Sequence, residues 1–130
     1  MSILNMETLQ WENVNKPKGT SPEKRQGHTA CKYQEDQMIV YGGWNGSRVL
    51  SDIFVLSIIK QDRKGNVKGI SMLLLLALEL EWKQLPSGED APRRQFHTAN
   101  MYKEKMWVFG GGDGESWLNT LNIYDLGILL

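Results

Sequence analysis

Residues 25–44 read RQGHTACKYQEDQMIVYGGW, and residues 94–112 read RQFHTANMYKEKMWVFGGG. The second stretch repeats the first. Arg25, His28, Thr29, Ala30, Tyr33, Val40 and the pair Gly42-Gly43 answer to Arg94, His97, Thr98, Ala99, Tyr102, Val108 and Gly110-Gly111. The match extends outward, to Trp11 and Trp82 before these stretches and to Leu50 and Leu118 after them. Self-similarity at a fixed spacing marks a repeat architecture. The offset is 71 at the Trp pair, 69 at the His pair and 68 from the glycines onward. Each slip therefore falls between anchors, where a turn absorbs it.

The local chemistry of each copy is that of an antiparallel sheet. Met38-Ile39-Val40-Tyr41 and Met106-Trp107-Val108-Phe109 are β-branched, aromatic or apolar at consecutive positions, the pattern of a strand buried on both faces. Ile53-Phe54-Val55-Leu56 and Leu121-Asn122-Ile123-Tyr124 are also β-prone. The latter alternates apolar and polar, so it is expected to turn a polar outer face to water. First strands are expected over His28 to Tyr33 and His97 to Tyr102, each joined to the second by a short charged turn. Gly-Gly at a strand end permits positive φ or a close approach of another backbone.

The order W, R-x-x-H-T-A, apolar run, Gly-Gly resembles the kelch repeat, the unit of β-propellers whose blades are four-stranded antiparallel sheets. The resemblance covers roughly residues 8–58 and 80–126. It implies an all-β fold and one partial kelch-repeat domain over 1–130, with repeat 1 at about 11–58, an insertion at 59–80 and repeat 2 at about 82–126. Kelch units recur every ~50 residues, and the excess here sits in that insertion. Two blades do not close a ring. Trp82 would return as the outer strand of the first blade. Trp11 would pair with a blade outside this chain or with the last one. Repeat arrays need about three units before their interfaces outweigh ordering entropy. Exposed faces and edges are therefore expected, with closure by self-association or by further kelch blades.

Composition narrows the function. Lys+Arg and Asp+Glu both number 15, and a net charge of zero argues against nucleic acid. Met1 to Gln10 lack the pattern of a signal peptide, and the single Cys31 has no internal partner. A reducing compartment is expected, the cytoplasm or the nucleus. In the insertion, the uncharged run from Gly69 to Leu78 has ten residues and ends at Glu79, whereas a membrane-spanning helix takes about 20. Three readings of 59–80 stand: a loop packed on the blade, an apolar segment that binds a partner, or sequence that is not native to the fold.

No nucleophile elbow, C-x-x-C pair, H-E-x-x-H or Walker loop occurs. His28 and His97 occupy equivalent places in successive repeats, so they do not converge on one ion, and neither a metal nor a cofactor is expected. Each His, with Arg25 or Arg94, reads as a bond to backbone or to a neighbouring blade. Trp11, Trp82, Gly42, Gly43, Gly110 and Gly111 read as packing anchors. Some kelch propellers are copper or iron enzymes, but two histidines and one cysteine so placed do not make a copper site. A metal-dependent enzyme and a non-functional fragment of a longer kelch protein stand as alternatives.

The resemblance implies a protein-protein interaction module or scaffold, in a ubiquitin ligase that recognises substrates or in a cytoskeletal or trafficking assembly. The loops between second and third strands, Trp44 to Val49 and Gly112 to Trp117, each carry a tryptophan. The loops before the first strands, Lys16 to Lys24 and Ser87 to Arg93, should emerge at the same end. Trp and Arg often dominate interfaces. Trp44, Arg48, Asp113, Glu115 and Trp117 are the candidate contacts, against the alternative that both tryptophans fold back on the blade.

Overall fold

The computed structural model describes residues 2–61, 77–88 and 91–127. These form ten strands: β1 (Ser2–Asn5), β2 (Gln10–Asn13), β3 (Lys18–Gly19), β4 (Thr29–Lys32), β5 (Gln37–Trp44), β6 (Val49–Gln61), β7 (Ala77–Leu85), β8 (Thr98–Tyr102), β9 (Lys105–Phe109) and β10 (Leu121–Asp125). No helix occurs among the described residues. Three sheets result: a hairpin β1-β2, a five-stranded sheet in the order β3-β7-β6-β5-β4, and a three-stranded sheet in the order β10-β9-β8. The two larger sheets are the two repeats. No ring closes.

Strands β4 to β7 form the first blade as a meander. Trp82 on β7 pairs opposite Leu56 on β6 and completes it as the outer strand. The β6–β7 ladder runs on into the expected insertion, through Ile59↔Glu79 to Gln61↔Ala77. Residues 62–76, on which the loop, partner-segment and non-native readings mostly rest, lie outside the described residues. No helix among the described residues is long and apolar enough to cross a membrane.

The side-chain period of two assigns alternate residues of the blade to opposite faces. Ile39, Tyr41, Ile53 and Val55 point one way, where Leu85 joins them and Met106, Val108 and Leu126 arrive from the second blade. Val40, Phe54, Leu56, Leu80 and Trp82 point the other way, with Val14 packed against them. Each such side chain, fully buried, contributes about 1.5–3 kcal/mol. The Phe54 and Trp82 rings meet edge to face at 6.3 Å, a favoured aromatic geometry.

Three expectations are corrected. Residues 106–109 do not form a strand buried on both faces, because Met106 and Val108 are buried while Phe109 is 54% exposed. The face of β10 that meets water is apolar, with Leu121 and Ile123 exposed, whereas Asn122 turns toward Arg94. Polarity predicts which residue faces water only when the rest of the neighbouring layers is known. Within the chain Trp11 does not pair with the last blade: β2 folds back on β1, with Leu4↔Trp11 in register. A partner a few residues away costs less closure entropy than a distant strand. The loop expected over Lys16 to Lys24 also contains β3, which runs parallel to β7.

Candidate partner-binding site

The anchors hold the two blades at a fixed relation. At the Gly42 bulge in β5, Gly42 and Gly43 have φ of 63° and 98°. This left-handed turn suits glycine because it has no Cβ. It lets the Gly43 amide donate to the Arg94 carbonyl at 2.9 Å, while the Arg94 amide donates to the Leu50 carbonyl at 3.1 Å. A Cβ on Gly42 would sit 2.6 Å from the Arg94 oxygen. The glycine pair is thus a docking notch for the next blade.

The two arginines solve the same problem differently. Arg25 donates to the Gly42 carbonyl at 2.9 Å and grips Asp52 with both terminal nitrogens, at 2.6 and 3.0 Å, under the Phe54 ring. Arg94, 1% exposed, makes the equivalent bond to Gly110 at 2.9 Å. Where Arg25 has Asp52, Arg94 has, among the described residues, the neutral acceptors Thr120 at 3.4 Å and Asn122 at 2.6 Å.

His97 reaches the neighbouring blade, its Nε2 lying 2.8 Å from the Thr29 hydroxyl. Burial first, then the Arg94 charge and His28, lowers its pKa to about 4, so the ring is neutral near pH 7. The His28 pKa is lowered by burial and then by Arg25. The Cys31 thiol donates to the Ala99 carbonyl at 3.1 Å, and burial raises its pKa. It is a packed thiol held away from the reactive thiolate form. Tyr41, its ring edge-on to His97 at 5.1 Å, also spans the blades, donating to the Pro92 carbonyl and sharing a 2.8 Å bond with the Tyr124 hydroxyl. Burial raises its pKa. Among the described residues, no three His, Cys, Asp or Glu side chains gather as a metal site requires.

This frame presents the loops. Asn45 and Asp113, equivalent in the two copies, build the same turn: Asn45 accepts the amides of Ser47 and Arg48, both at 2.9 Å, and Asp113 those of Glu115 and Ser116, at 2.8 and 2.7 Å. These turn amides, Ser116 first, hold the Asp113 carboxyl below its ordinary pKa. Asp113 therefore shapes its loop as well as standing at the candidate surface. The two loops lie side by side, since a Cβ on Gly114 would meet the Val49 side chain at 3.2 Å.

A cleft of about 500 Å³ opens where the first of these loops meets both loops that precede the first strands. Thr20, Ser21 and Glu23 from the first of those loops, Arg48 and Asp52 after β5, and Ser87 and Arg93 from the second all line it. The expectation that these loops emerge at one end agrees with this cleft. Glu23 ties the rim together by accepting from Asn45 at 2.6 Å and lying 3.9 Å from Arg48. Trp44 is half-buried beside Arg25 and Asn45 in a second depression. Glu115 and Trp117 border a third, and Trp117 is 82% exposed. Trp44, Arg48, Glu115 and Trp117 thus border three hollows rather than one pocket, while Asp113 shapes the turn that carries Glu115. Glu23 and Arg93 were not among the candidates. The only sequence signal for either was membership of the loops before the first strands.

Residues 1–129 match the family model described as the KLHDC2/KLHL20/DRC7 Kelch-repeats domain. The chain belongs to the kelch-repeat family, and its sheets are kelch blades. It is similar to the host cell factor homolog hcf-1 of Caenorhabditis elegans, at 31% identity over 79% of this chain and 12% of that protein. It is also similar to kelch domain-containing protein 1 of Mus musculus, at 29% identity over 97% of this chain and 27% of the relative. The leucine-zipper-like transcriptional regulator 1 homolog of Drosophila melanogaster is 27% identical over 89% of this chain and 16% of its own length. The chain thus spans about a quarter or less of the curated relatives it matches.

Proposed function

We propose that this kelch-repeat chain is a non-enzymatic protein-binding module that takes a polar segment of a partner protein at its loop end. The observation that carries this reading is the cleft that three loops line together, with Arg48 and Arg93 both in its lining and exposed Trp117 on the loop that packs beside Val49. Of the carboxylates on that cleft, Asp52 is committed to Arg25, and Glu23 accepts from Asn45 and pairs with Arg48 only at 3.9 Å, so the exposed Arg48 guanidinium can still meet a partner. Arg and Trp supply bidentate bonding and a large rigid contact area. Kelch modules commonly bind proteins, and this supports the reading by architecture alone. Substrate recognition for a ubiquitin ligase and scaffolding of cytoskeletal or trafficking assemblies are the roles it suits. Cys31 as a half-buried free thiol is compatible with the cytoplasm or nucleus.

The test compares two immobilised variants with the parent chain in quantitative affinity capture. R48A/E115A/W117A alters the loop end, and E35A/K103A alters the opposite turns. Proteins lost from the first variant and kept by the second are expected. Equal retention of every captured protein by both variants would refute the loop-end site.

A further inference from the structure

From the glycines onward the repeats are 68 residues apart, so Leu118 answers to Leu50, Thr120 to Asp52 and Asn122 to Phe54. In the first blade the last two places serve Arg25, which holds the Asp52 carboxylate at 2.6 and 3.0 Å and lies 5.4 Å from the centre of the Phe54 ring. The second blade has exchanged both. Arg94, 1% exposed, donates to the Gly110 carbonyl as Arg25 does to Gly42, but meets Thr120 and Asn122 in place of the carboxylate and the ring. Its Nε has no partner among the described residues. A guanidinium so placed carries the cost of desolvation with only neutral acceptors to offset it.

Thr120 is exposed, in the irregular segment just before β10, and its hydroxyl lies 3.4 Å from a terminal nitrogen of Arg94. That exposure does not depend on whether an outer strand lies beside β10. In the first blade, where the outer strand β7 is present, the β6–β7 ladder begins at Ile53, and the Asp52 side chain just before it stays 21% exposed and lines the cleft. The position is therefore open to solvent on one side and faces a buried arginine on the other.

We propose that Thr120 is a phosphorylation site, and that its phosphate takes the place at Arg94 that the Asp52 carboxylate takes at Arg25. The Thr120 hydroxyl oxygen attacks the γ-phosphorus of a nucleoside triphosphate held by a protein kinase. A new O–P bond forms as the bond to the departing nucleoside diphosphate breaks, and the hydroxyl proton passes to the base of the kinase. The product carries about −2 charge near neutral pH and three strong acceptor oxygens. Arginine meets phosphate with paired, charge-assisted bonds, and the 3.4 Å between hydroxyl and guanidinium brings the phosphate oxygens within its reach.

The consequence falls on the joint between the blades. The Arg94 amide donates to Leu50 and its carbonyl accepts from Gly43, so an anion that fixes the Arg94 side chain also fixes the segment docked on the first blade. Asp52 makes the pairing permanent in one repeat. Thr120 makes it conditional in the other.

The test has two parts, both on the full chain. Protein isolated from its cells of origin, with phosphatase inhibitors present throughout, is mapped by mass spectrometry. A phosphopeptide assigned to Thr120 is expected, lost after phosphatase treatment. Phosphothreonine is then installed by genetic encoding at 120 and, as the control, at exposed Thr8. In a phosphorus NMR titration the second phosphate pKa at 120 should fall at least about 0.5 below that at 8. The melting temperature should rise by about 3 °C over the unmodified chain, while the control leaves it unchanged. T120D, which copies Asp52, should melt above T120N. Thr120 unmodified in the isolated protein, a phosphate pKa equal to the control's, a melting temperature not raised by the phosphate at 120, or T120D no more stable than T120N would each overturn the proposal.

Discussion

Gly42 and Gly110 hold the same place in their repeats, and replacing each with alanine separates a turn requirement from a blade contact. Their φ values, 63° and 68°, are nearly the same, so the backbone cost of adding a Cβ is shared. For a residue forced into the left-handed region it is about 1–2 kcal/mol. The surroundings differ. A Cβ at position 42 would stand 2.6 Å from the Arg94 oxygen and 3.1 Å from a His97 ring carbon, both of the second blade. At position 110 the nearest atom is the Leu118 oxygen at 3.4 Å, within the same blade. Relieving the clash at 42 requires the blades to shift, which costs about 1–3 kcal/mol more. G42A is therefore expected to lose about 2–5 kcal/mol and G110A about 1–2 kcal/mol. Urea unfolding followed by tryptophan fluorescence reads the difference. Gly43 and Gly111 supply the control, because each faces its own blade's Gln26 or Gln95 oxygen, at 2.8 and 2.5 Å, and their alanine variants should behave alike. Equal loss in G42A and G110A would refute the argument that the Arg94 segment is what demands glycine at 42.

Stability should depend on pH through His97, whose folded pKa of about 4 lies below the ordinary 6.5. The unfolded chain binds the proton first, so this contribution is complete above about pH 6.5 and is lost as pH falls toward 4. His28 shifts the same way. H97Q should flatten the slope of melting temperature against pH in that window, and an unchanged slope would remove His97 as its source. Arg94 is buried against neutral oxygens, so N122D should supply the carboxylate that Asp52 gives Arg25 and raise stability by about 1 kcal/mol, measured by chemical denaturation. A destabilised N122D would mean that desolvating the new carboxylate outweighs the pairing. W117A, at an 82% exposed position, should leave stability within about 0.5 kcal/mol while reducing partner capture. A large loss of stability would instead assign Trp117 to packing.

The doubled anchors were legible because they are local in origin. A Gly-Gly that must turn left-handed, a four-residue apolar run and a short charged turn each follow from the preferences of a few neighbouring residues. That made the strands of both blades, the repeat equivalence and the return of Trp82 as an outer strand readable from order alone. The candidate loops were readable in the same way, by their place between strands. Their division into three hollows was not, because it depends on which side chains of different loops meet, as Glu23 does with Asn45 and Arg48.

Exposure was the quantity that sequence pattern misjudged. Residues 106–109 carry the composition of a doubly buried strand, and Leu121 and Ile123 that of an inner face, yet Phe109, Leu121 and Ile123 are open. Side-chain alternation decides that two residues share a face, and a face is buried only if another layer lies against it. Trp11 and Trp82 show the same limit within one motif, since identical local chemistry ends 70% and 9% exposed according to whether a third strand lies beside it. By itself the sequence determined the repeat, the strands and the places where only glycine serves. The tertiary structure alone decided which faces and edges are covered, because burial is a property of the neighbour and not of the residue.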